Sequence, residues 1–323
     1  MPWQRLKLQQ RMWRLILQGL YPAALEEYLC GILNSDSAPP AILDLGCGGG
    51  AWAMDMALAF PHAQVTGFDL FPNPVIAPPH NCRFVQGNAL ECNLDDLHLR
   101  GQFDFVHCRS VLWHQKDPNQ MVAVIASCLK LGGLALIIDG SESNRIYDRD
   151  RNLLSPDENM QVQPSDSTYS RYANWIKTYS RVARGHSLSY DYVELLRQSR
   201  KFSGINFQEI LCPMNWEGEN ILNGLEIGDI MYENLHKIFP ATKHAIMSTG
   251  VSAQSFEDSK QKLYKEMEAL KIYLWKSAWR QNLNAYIPEP EPGALKNLKP
   301  GQGLQDWPQN PSFGHWWNSP EEE

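Results

Sequence analysis

Apolar residues recur along this chain with two different periods, and the change between them divides the sequence. Over residues 3–33, Leu6, Met12, Trp13, Ile16, Leu20, Leu25, Tyr28 and Leu29 keep helical spacing, interrupted at Pro22, which predicts two helices. Ser35 to Pro40 is a linker. From Ala41 the pattern turns into short apolar runs: Ala41–Leu45, Ala63–Leu70, Arg83–Gln86, Phe103–Cys108 and Leu134–Asp139. An apolar helix to Phe60 follows the first run, and a helix over 119–130 follows the fourth. Such alternation predicts a parallel sheet covered by helices on both faces.

Beyond Gly140 the rhythm is lost. Residues 141–167, rich in Ser, Asp and Asn, read as a long loop. Helices are expected over 168–183 and 190–201, a strand over 205–211, and further helices over 220–248 and 255–281. The last opens with the capping signal Ser255-Phe-Glu-Asp258. From Pro288 onward Pro, Gly and Trp dominate, a composition that builds neither helix nor sheet. The expected divisions are 1–34 (helical), 35–140 (the α/β core), 141–287 (a helical insert plus remaining strands) and 288–323 (a tail).

Composition narrows the function. With 43% hydrophobic and 20% charged residues the chain is globular, and it holds no apolar run of about 18 residues to span a bilayer. Its N-terminus lacks the uninterrupted apolar stretch of a secretory signal. A net charge of −7 argues against nucleic acid as a partner. Arg5, Lys7, Arg11 and Arg14 read as the wet face of the first helix, so no membrane contact is expected either. Seven cysteines without a C-x-x-C pair indicate reduced thiols and a cytoplasmic location, or a nuclear one for a regulator. His80 and Cys82 lack a second pair, so no metal is expected.

The chemistry concentrates in Asp44-Leu-Gly46-Cys47-Gly48-Gly-Gly50, between the first strand and its helix, and in Asp69 at the end of the second strand. Glycines permit a tight turn and close approach of a ligand to the backbone, and the free N–H groups at the helix start suit an anionic or polar ligand end. Asp69 follows the glycines by about 20 residues, the spacing of an acid that binds ribose hydroxyls. The dinucleotide spacing G-x-G-x-x-G is met only through Ala51 at its last position, and no Tyr-x-x-x-Lys pair follows the fifth strand, which disfavours a reductase.

Asp44, Gly46, Gly48 and Gly50 instead resemble the D-x-G-x-G-x-G motif of class I S-adenosylmethionine-dependent methyltransferases. Phe84-Val-Gln-Gly-Asn88-Ala89, the run from Phe103 to Pro118, and Leu129-Lys-Leu-Gly132-Gly133 resemble the later motifs in order. Ala51-Trp-Ala-Met-Asp-Met-Ala57, Arg5-Leu-Lys-Leu-Gln9-Gln10 and Asn284-Ala285-Tyr286-Ile287-Pro288 further resemble the fungal LaeA-like methyltransferases of secondary metabolism, with Gln10 and Asn284 replacing histidines.

The resemblance implies a Rossmann-like, mostly parallel α/β sheet with an N-terminal helical lid and a C-terminal helical insert. It implies S-adenosyl-L-methionine as cofactor, S-adenosyl-L-homocysteine as product, and a small-molecule acceptor methylated on oxygen or nitrogen. Asp44, Gly46, Cys47, Gly48, Gly50, Asp69, Leu70, Asn88, Ala89 and His107 would hold the donor. His107 and His114 are the catalytic candidates. His107 would act either through backbone contact to the donor's methionine end or by side-chain proton transfer; His114 reads as a packing or substrate-shaping residue before a base. Arg109, Trp113, Tyr172, Trp175 and Trp216 are candidates for the acceptor pocket, although an aromatic stripe is more often core. The alternative is a LaeA-like regulator acting through protein partners. The sequence leaves the oligomeric state open.

Overall fold

The computed structural model describes residues 2–33, 38–71, 77–139, 146–147, 149–150, 175, 178–179, 181–182, 185, 191–206, 211–269, 272–274 and 282–285. Helices α1 (Pro2–Leu17) and α2 (Glu26–Leu33) precede the sheet, separated at Pro22 by a short 3-10 turn over Ala23–Leu25. Strand β1 (Ala41–Leu45), α3 (Ala51–Ala59), β2 (Gln64–Asp69), β3 (Cys82–Gln86), β4 (Phe103–Arg109), α4 (Pro118–Cys128) and β5 (Leu129–Ile138) follow in turn. Asp117 caps α4, taking the Asn119 N–H at 3.0 Å, with Pro118 at the first helical position. Beyond β5 come β6 (Ile146–Tyr147), α5 (Tyr192–Ser199), β7 (Ser203–Asn206), β8 (Cys212–Met214), α6 (Gly224–Ala241), α7 (Lys243–Met247), α8 (Ala253–Ala269), β9 (Ile272–Leu274) and β10 (Asn282–Ala285).

Seven strands form the main sheet in the order β3-β2-β1-β4-β5-β10-β7. The first five are parallel, and β10 runs antiparallel between β5 and β7. Chain order reverses between β1 and β4, so a crevice opens outside their carboxyl ends, where ligands bind in sheets of this kind. A second sheet of three strands runs β6-β9-β8.

Alternation along the strands gives the sheet two distinct faces. Ile42 and Phe105 pack with α1, α3 and α6 through Met12, Trp13, Trp52, Met56 and Met231. Leu43, Leu45, Val106 and Cys108 pack on the opposite side with α4 and α5 through Val122, Ile125 and Leu196. On the first face the apolar register ends in polar residues toward the carboxyl edge: Asp44 after Ile42, His107 and Arg109 after Phe105. That edge is where the site lies.

Several expectations are corrected. The helix expected over 255–281 ends at Ala269, and Ile272–Leu274 pairs with β8 instead, a partnership that local periodicity does not reveal. Its cap is Ser252, whose Oγ takes the Ser255 N–H at 3.1 Å. β5 starts at Leu129, where it pairs with Phe103, ahead of the expected Leu134. Among the described residues no helix is long and apolar enough to cross a membrane. All seven cysteines are free.

Candidate functional site

The turn after β1 is shaped by its glycines and by one acid. Gly46 has φ +79° and Gly48 φ +53°, left-handed conformations that side chains resist. A Cβ on Gly46 would overlap Val111, and one on Gly48 would come within 3.1 Å of Leu6 in α1. The N–H groups of Gly46 and Cys47 both donate to the Phe68 carbonyl, at 2.7 and 3.0 Å. Asp69 then holds the turn from outside: its Oδ2 accepts from the Gly48 N–H at 2.8 Å and its Oδ1 from the Phe71 N–H at 2.9 Å. Asp69 is expected from its spacing to bind a ribose; each oxygen retains a lone pair for that, but the carboxylate also fixes the glycine turn.

Asp44 and His107 are register partners on β1 and β4, and Asp44 Oδ1 lies 2.8 Å from His107 Nδ1. Both are buried. A carboxylate only accepts, so Nδ1–H donates and Nε2 carries the lone pair. Burial lowers the His107 pKa despite the pull of Asp44, which keeps the imidazole neutral. The Trp52 ring stacks on it at 3.8 Å between centroids and 14° between planes, held by its own Nε1–H to the Leu20 carbonyl at 2.8 Å. His107 Nε2 is buried with no hydrogen-bond partner.

Two residues along β4, the half-buried Arg109 donates from Nη2 to Gln10 Oε1 at 2.6 Å, and its guanidinium lies 5.8 Å from the centre of the Trp13 ring. Burial lowers its pKa to about 10, so it remains a cation at neutral pH. Gln10 Nε2 donates in turn to Asp55 Oδ2 at 2.9 Å, and Arg14 approaches the same oxygen at 3.6 Å. This relay ties α1 to α3 and β4. Arg11 pairs with Glu226 of α6 on the outer side.

Together these groups bound a cleft of about 660 Å³, open solvent included. Leu6, Lys7, Gln9 and Gln10 of α1 form one wall; the glycine turn, Trp52, Met54, Asp44, His107, Arg109 and Ser110 form the rest. Helix α1 therefore supplies cleft residues directly.

Of the residues singled out from sequence, Asp44, Gly46, Cys47, Gly48, His107 and Arg109 meet in this cleft. Gly50 ends the turn in a left-handed conformation before α3, and Asp69 buttresses the turn from β2. Leu70 is exposed beyond β2, its carbonyl accepting from Gln86 Nε2 at 3.1 Å. Asn88 closes a local turn by taking the Leu90 N–H at 3.1 Å, and Ala89 packs on the far core. Neither lines the cleft.

The aromatic and second histidine expectations fare differently. His114 is exposed on the 3-10 turn Leu112–His114 and outside the cleft. Trp113 is half-buried, its ring stacked 6.3 Å from Tyr179. Trp175 is a core residue: its Nε1–H donates to Thr242 Oγ1 at 2.9 Å and its ring packs 4.9 Å from Phe239. Trp216 is buried with Tyr147 beneath the cation of Arg149, also away from the cleft. Both were assigned to an acceptor pocket because spacing along a helix or loop does not say which face is buried. Tyr172 lies outside the described residues.

Sequence reasoning missed Asp139. Buried just past β5, its carboxylate takes the N–H groups of Val111, Leu112 and Trp113 at 2.8, 2.6 and 3.3 Å. The available signal was its place, an acid at the carboxyl end of a strand like Asp44 and Asp69. Trp52 and Gln10 were quoted only as parts of a motif, yet both build the site.

A family described as a methyltransferase domain matches residues 43–135. Methyltransferase str2 of Strobilurus tenacellus is 28% identical over 55% of this chain and 58% of its own length. The secondary metabolism regulator laeA of Coprinopsis cinerea is 36% identical over 35% of this chain and 27% of its own. A ubiquinone biosynthesis O-methyltransferase of Xanthomonas axonopodis pv. citri is 38% identical over 36% and 48%. The chain thus spans at most 58% of the length of these three relatives. Motif order, the glycine turn at the switch point and the family match over that turn agree: residues 43–135 of the chain are a methyltransferase domain.

Proposed function

We propose that the protein transfers the methyl group of S-adenosyl-L-methionine to an oxygen or nitrogen of a small secondary metabolite and releases S-adenosyl-L-homocysteine. The observation that carries this reading is the cleft at the β1–β4 switch point, walled by left-handed glycines on one side and by α1 on the other. The residues present fit such a donor. Gly48 leaves the turn bare where a side chain would press on Leu6, and a buried imidazole nitrogen beside the turn lacks a partner.

When bound, the donor supplies an electrophilic methyl on a sulfonium, which leaves as a thioether when an acceptor lone pair takes the methyl. The chain's part is alignment and exclusion of water, and well-oriented reactions gain roughly 7–11 kcal/mol from alignment. Leu6, Trp52 and Met54 provide apolar walls. Asp69 keeps the glycine turn in place and offers its remaining lone pairs to a ribose. His114, exposed and outside the cleft, is assigned no step. The similarity to laeA, whose name states secondary metabolism, supports a secondary metabolite as acceptor, and the free cysteines fit a reducing compartment such as the cytoplasm.

The test is calorimetry with S-adenosylhomocysteine on the full chain, alongside Gly48→Arg and Asp69→Ala. Binding by the wild type that both substitutions abolish is expected. Absence of binding by the wild type, or affinity unchanged in both variants, overturns the assignment. Methyl transfer from labelled donor to a metabolite extract then tests turnover. Binding without turnover would favour a regulator, the role that the name of the laeA relative states.

A further inference from the structure

Arg5, Lys7, Arg11 and Arg14, expected as one wet face of the first helix, divide in the structure. Arg11 pairs with Glu226, and Arg14 approaches Asp55 at 3.6 Å. Among the described residues neither Arg5 nor Lys7 is in an ion pair. Lys7 lines the cleft. Arg5 is half-buried, beside Leu6 and one turn before Gln9, and both of these line the cleft. Burial lowers the Arg5 pKa, and the Tyr179 phenol acts on it through space. The Tyr179 ring in turn stacks on Trp113, with centroids 6.3 Å apart.

Arg109 adds a further cation to the lining, and its hydrogen bond goes to a neutral amide, the Gln10 oxygen. Asp44 is the one acid among the described lining residues, and it is buried and bonded to His107. In a chain of net charge −7, this part of the cleft runs against the charge of the whole. A half-buried guanidinium without a carboxylate gives up hydration that nothing on the protein replaces. The donor does not restore the balance, because it brings one carboxylate against an ammonium and a sulfonium. The acceptor has to enter the same cleft, since its attacking atom must come within about 3–3.5 Å of the methyl. An anion on the acceptor supplies what the donor lacks.

We propose that the acceptor is an organic acid, anchored through its anionic group by Arg5 and Lys7 of α1. This rests on the methyltransferase reading above and narrows the acceptor from any small metabolite to an acidic one. The planar fork of Arg5 matches a pair of anionic oxygens, and Lys7 adds a point charge. The Trp113–Tyr179 pair gives the acid's carbon frame an apolar flank beside Arg5.

The test uses the full chain, methyl-labelled S-adenosylmethionine and a metabolite extract split by anion exchange, before the assay, into retained and unretained fractions. Label is expected from the retained, acidic fraction. With that fraction limiting, Arg5→Met and Lys7→Met should each lower incorporation by about tenfold to a hundredfold, the worth of a hydrogen bond to a charged group. Their affinity for S-adenosylhomocysteine, read by calorimetry, should stay unchanged, which also reports that they have folded. Arg5→Lys should recover part of the loss, and added salt should weaken labelling by the wild type. Arg100→Met removes a cation paired with Asp95 outside the cleft, and as the control it should alter neither readout.

Label confined to the unretained fraction, or full incorporation by both methionine variants, overturns the inference while leaving the methyltransferase reading standing. Donor affinity lost in step with incorporation also overturns it, because the two cations would then serve the donor. Donor binding with no label from either fraction overturns it together with turnover. A wild type that binds no S-adenosylhomocysteine overturns the methyltransferase reading as well.

Discussion

Asp44 and His107 face each other across the β1–β4 seam as register partners, carboxylate oxygen to imidazole nitrogen at 2.8 Å, both buried. The pair sits beneath the glycine turn, so the acid of the family motif serves as a support for a histidine on the neighbouring strand. The Trp52 ring covers that histidine, and Arg109, two residues along β4, is a cation that acts on it through space.

The first prediction concerns pH. Burial lowers the His107 pKa below its ordinary 6.5, outweighing the Asp44 carboxylate that faces it, and Arg109 acts in the same direction as burial. Between 6.5 and the lower folded value the unfolded chain binds a proton that the folded chain refuses. Stability therefore rises with pH through that window and is lost as pH falls below about 6.5. Melting temperatures from pH 7.5 to 5 should drop more steeply for the wild type than for His107→Leu, once each is referred to its own value at pH 7.5. Parallel curves would show that the buried imidazole is not the source.

A second prediction uses two glycines with opposite expectations. Gly46 is left-handed and faces Val111, so Gly46→Ala should cost about 1–3 kcal/mol and distort the donor turn. Gly31 lies inside α2 with no atom near a new Cβ, so Gly31→Ala should stabilise by about 0.4–1 kcal/mol. Urea denaturation reads both, and the two variants should shift the midpoint in opposite directions.

Those glycines also show what could be read in advance. Strands β1 to β5 and the turn after β1 were legible because their signals are local: apolar runs, a helix period and glycines at fixed offsets. The positions of Asp44 and His107 near strand ends, and of Gly48 in the turn after β1, followed directly. What stayed hidden depends on contacts between distant segments. Ile272–Leu274 becomes a strand because Cys212–Met214 offers it a ladder, and Trp175 is core because Thr242 and Phe239 enclose it. Gln10 lies 99 residues from Arg109, and no periodicity links them.

Trp175 supplies the third prediction. If it lined an acceptor pocket, its replacement would change acceptor binding and little else. As a core residue hydrogen-bonded to Thr242, it should instead destabilise the fold by about 1–3 kcal/mol in Trp175→Phe, which loses the N–H donor and part of the ring. Thr242 Oγ1 keeps its own bond to the Phe239 carbonyl at 2.7 Å, so the damage should stay local. Chemical denaturation should detect the loss, while the dissociation constant for S-adenosylhomocysteine stays unchanged.

Asp139 leads to the last prediction. Its two oxygens receive three consecutive backbone N–H groups, from Val111 to Trp113, and so fix the chain as it leaves β4. In Asp139→Asn one of those oxygens becomes an NH₂ group, and either orientation of the amide turns a donor toward a donor. Losing charge-assisted bonds at a buried site should cost about 2–4 kcal/mol. The effect should also reach the donor, because the Val111 side chain fills the space beside Gly46 that a Cβ would need. A loosened Val111 removes the wall that holds the glycine turn, so Asp139→Asn should lower the melting temperature and weaken S-adenosylhomocysteine together. Asp117→Asn makes the control: it caps α4 from the exposed side and touches neither turn, so it should lower stability by less than about 1 kcal/mol and leave donor affinity intact. If Asp139→Asn lost stability with full donor affinity, the 111–113 turn and the glycine turn would be mechanically independent.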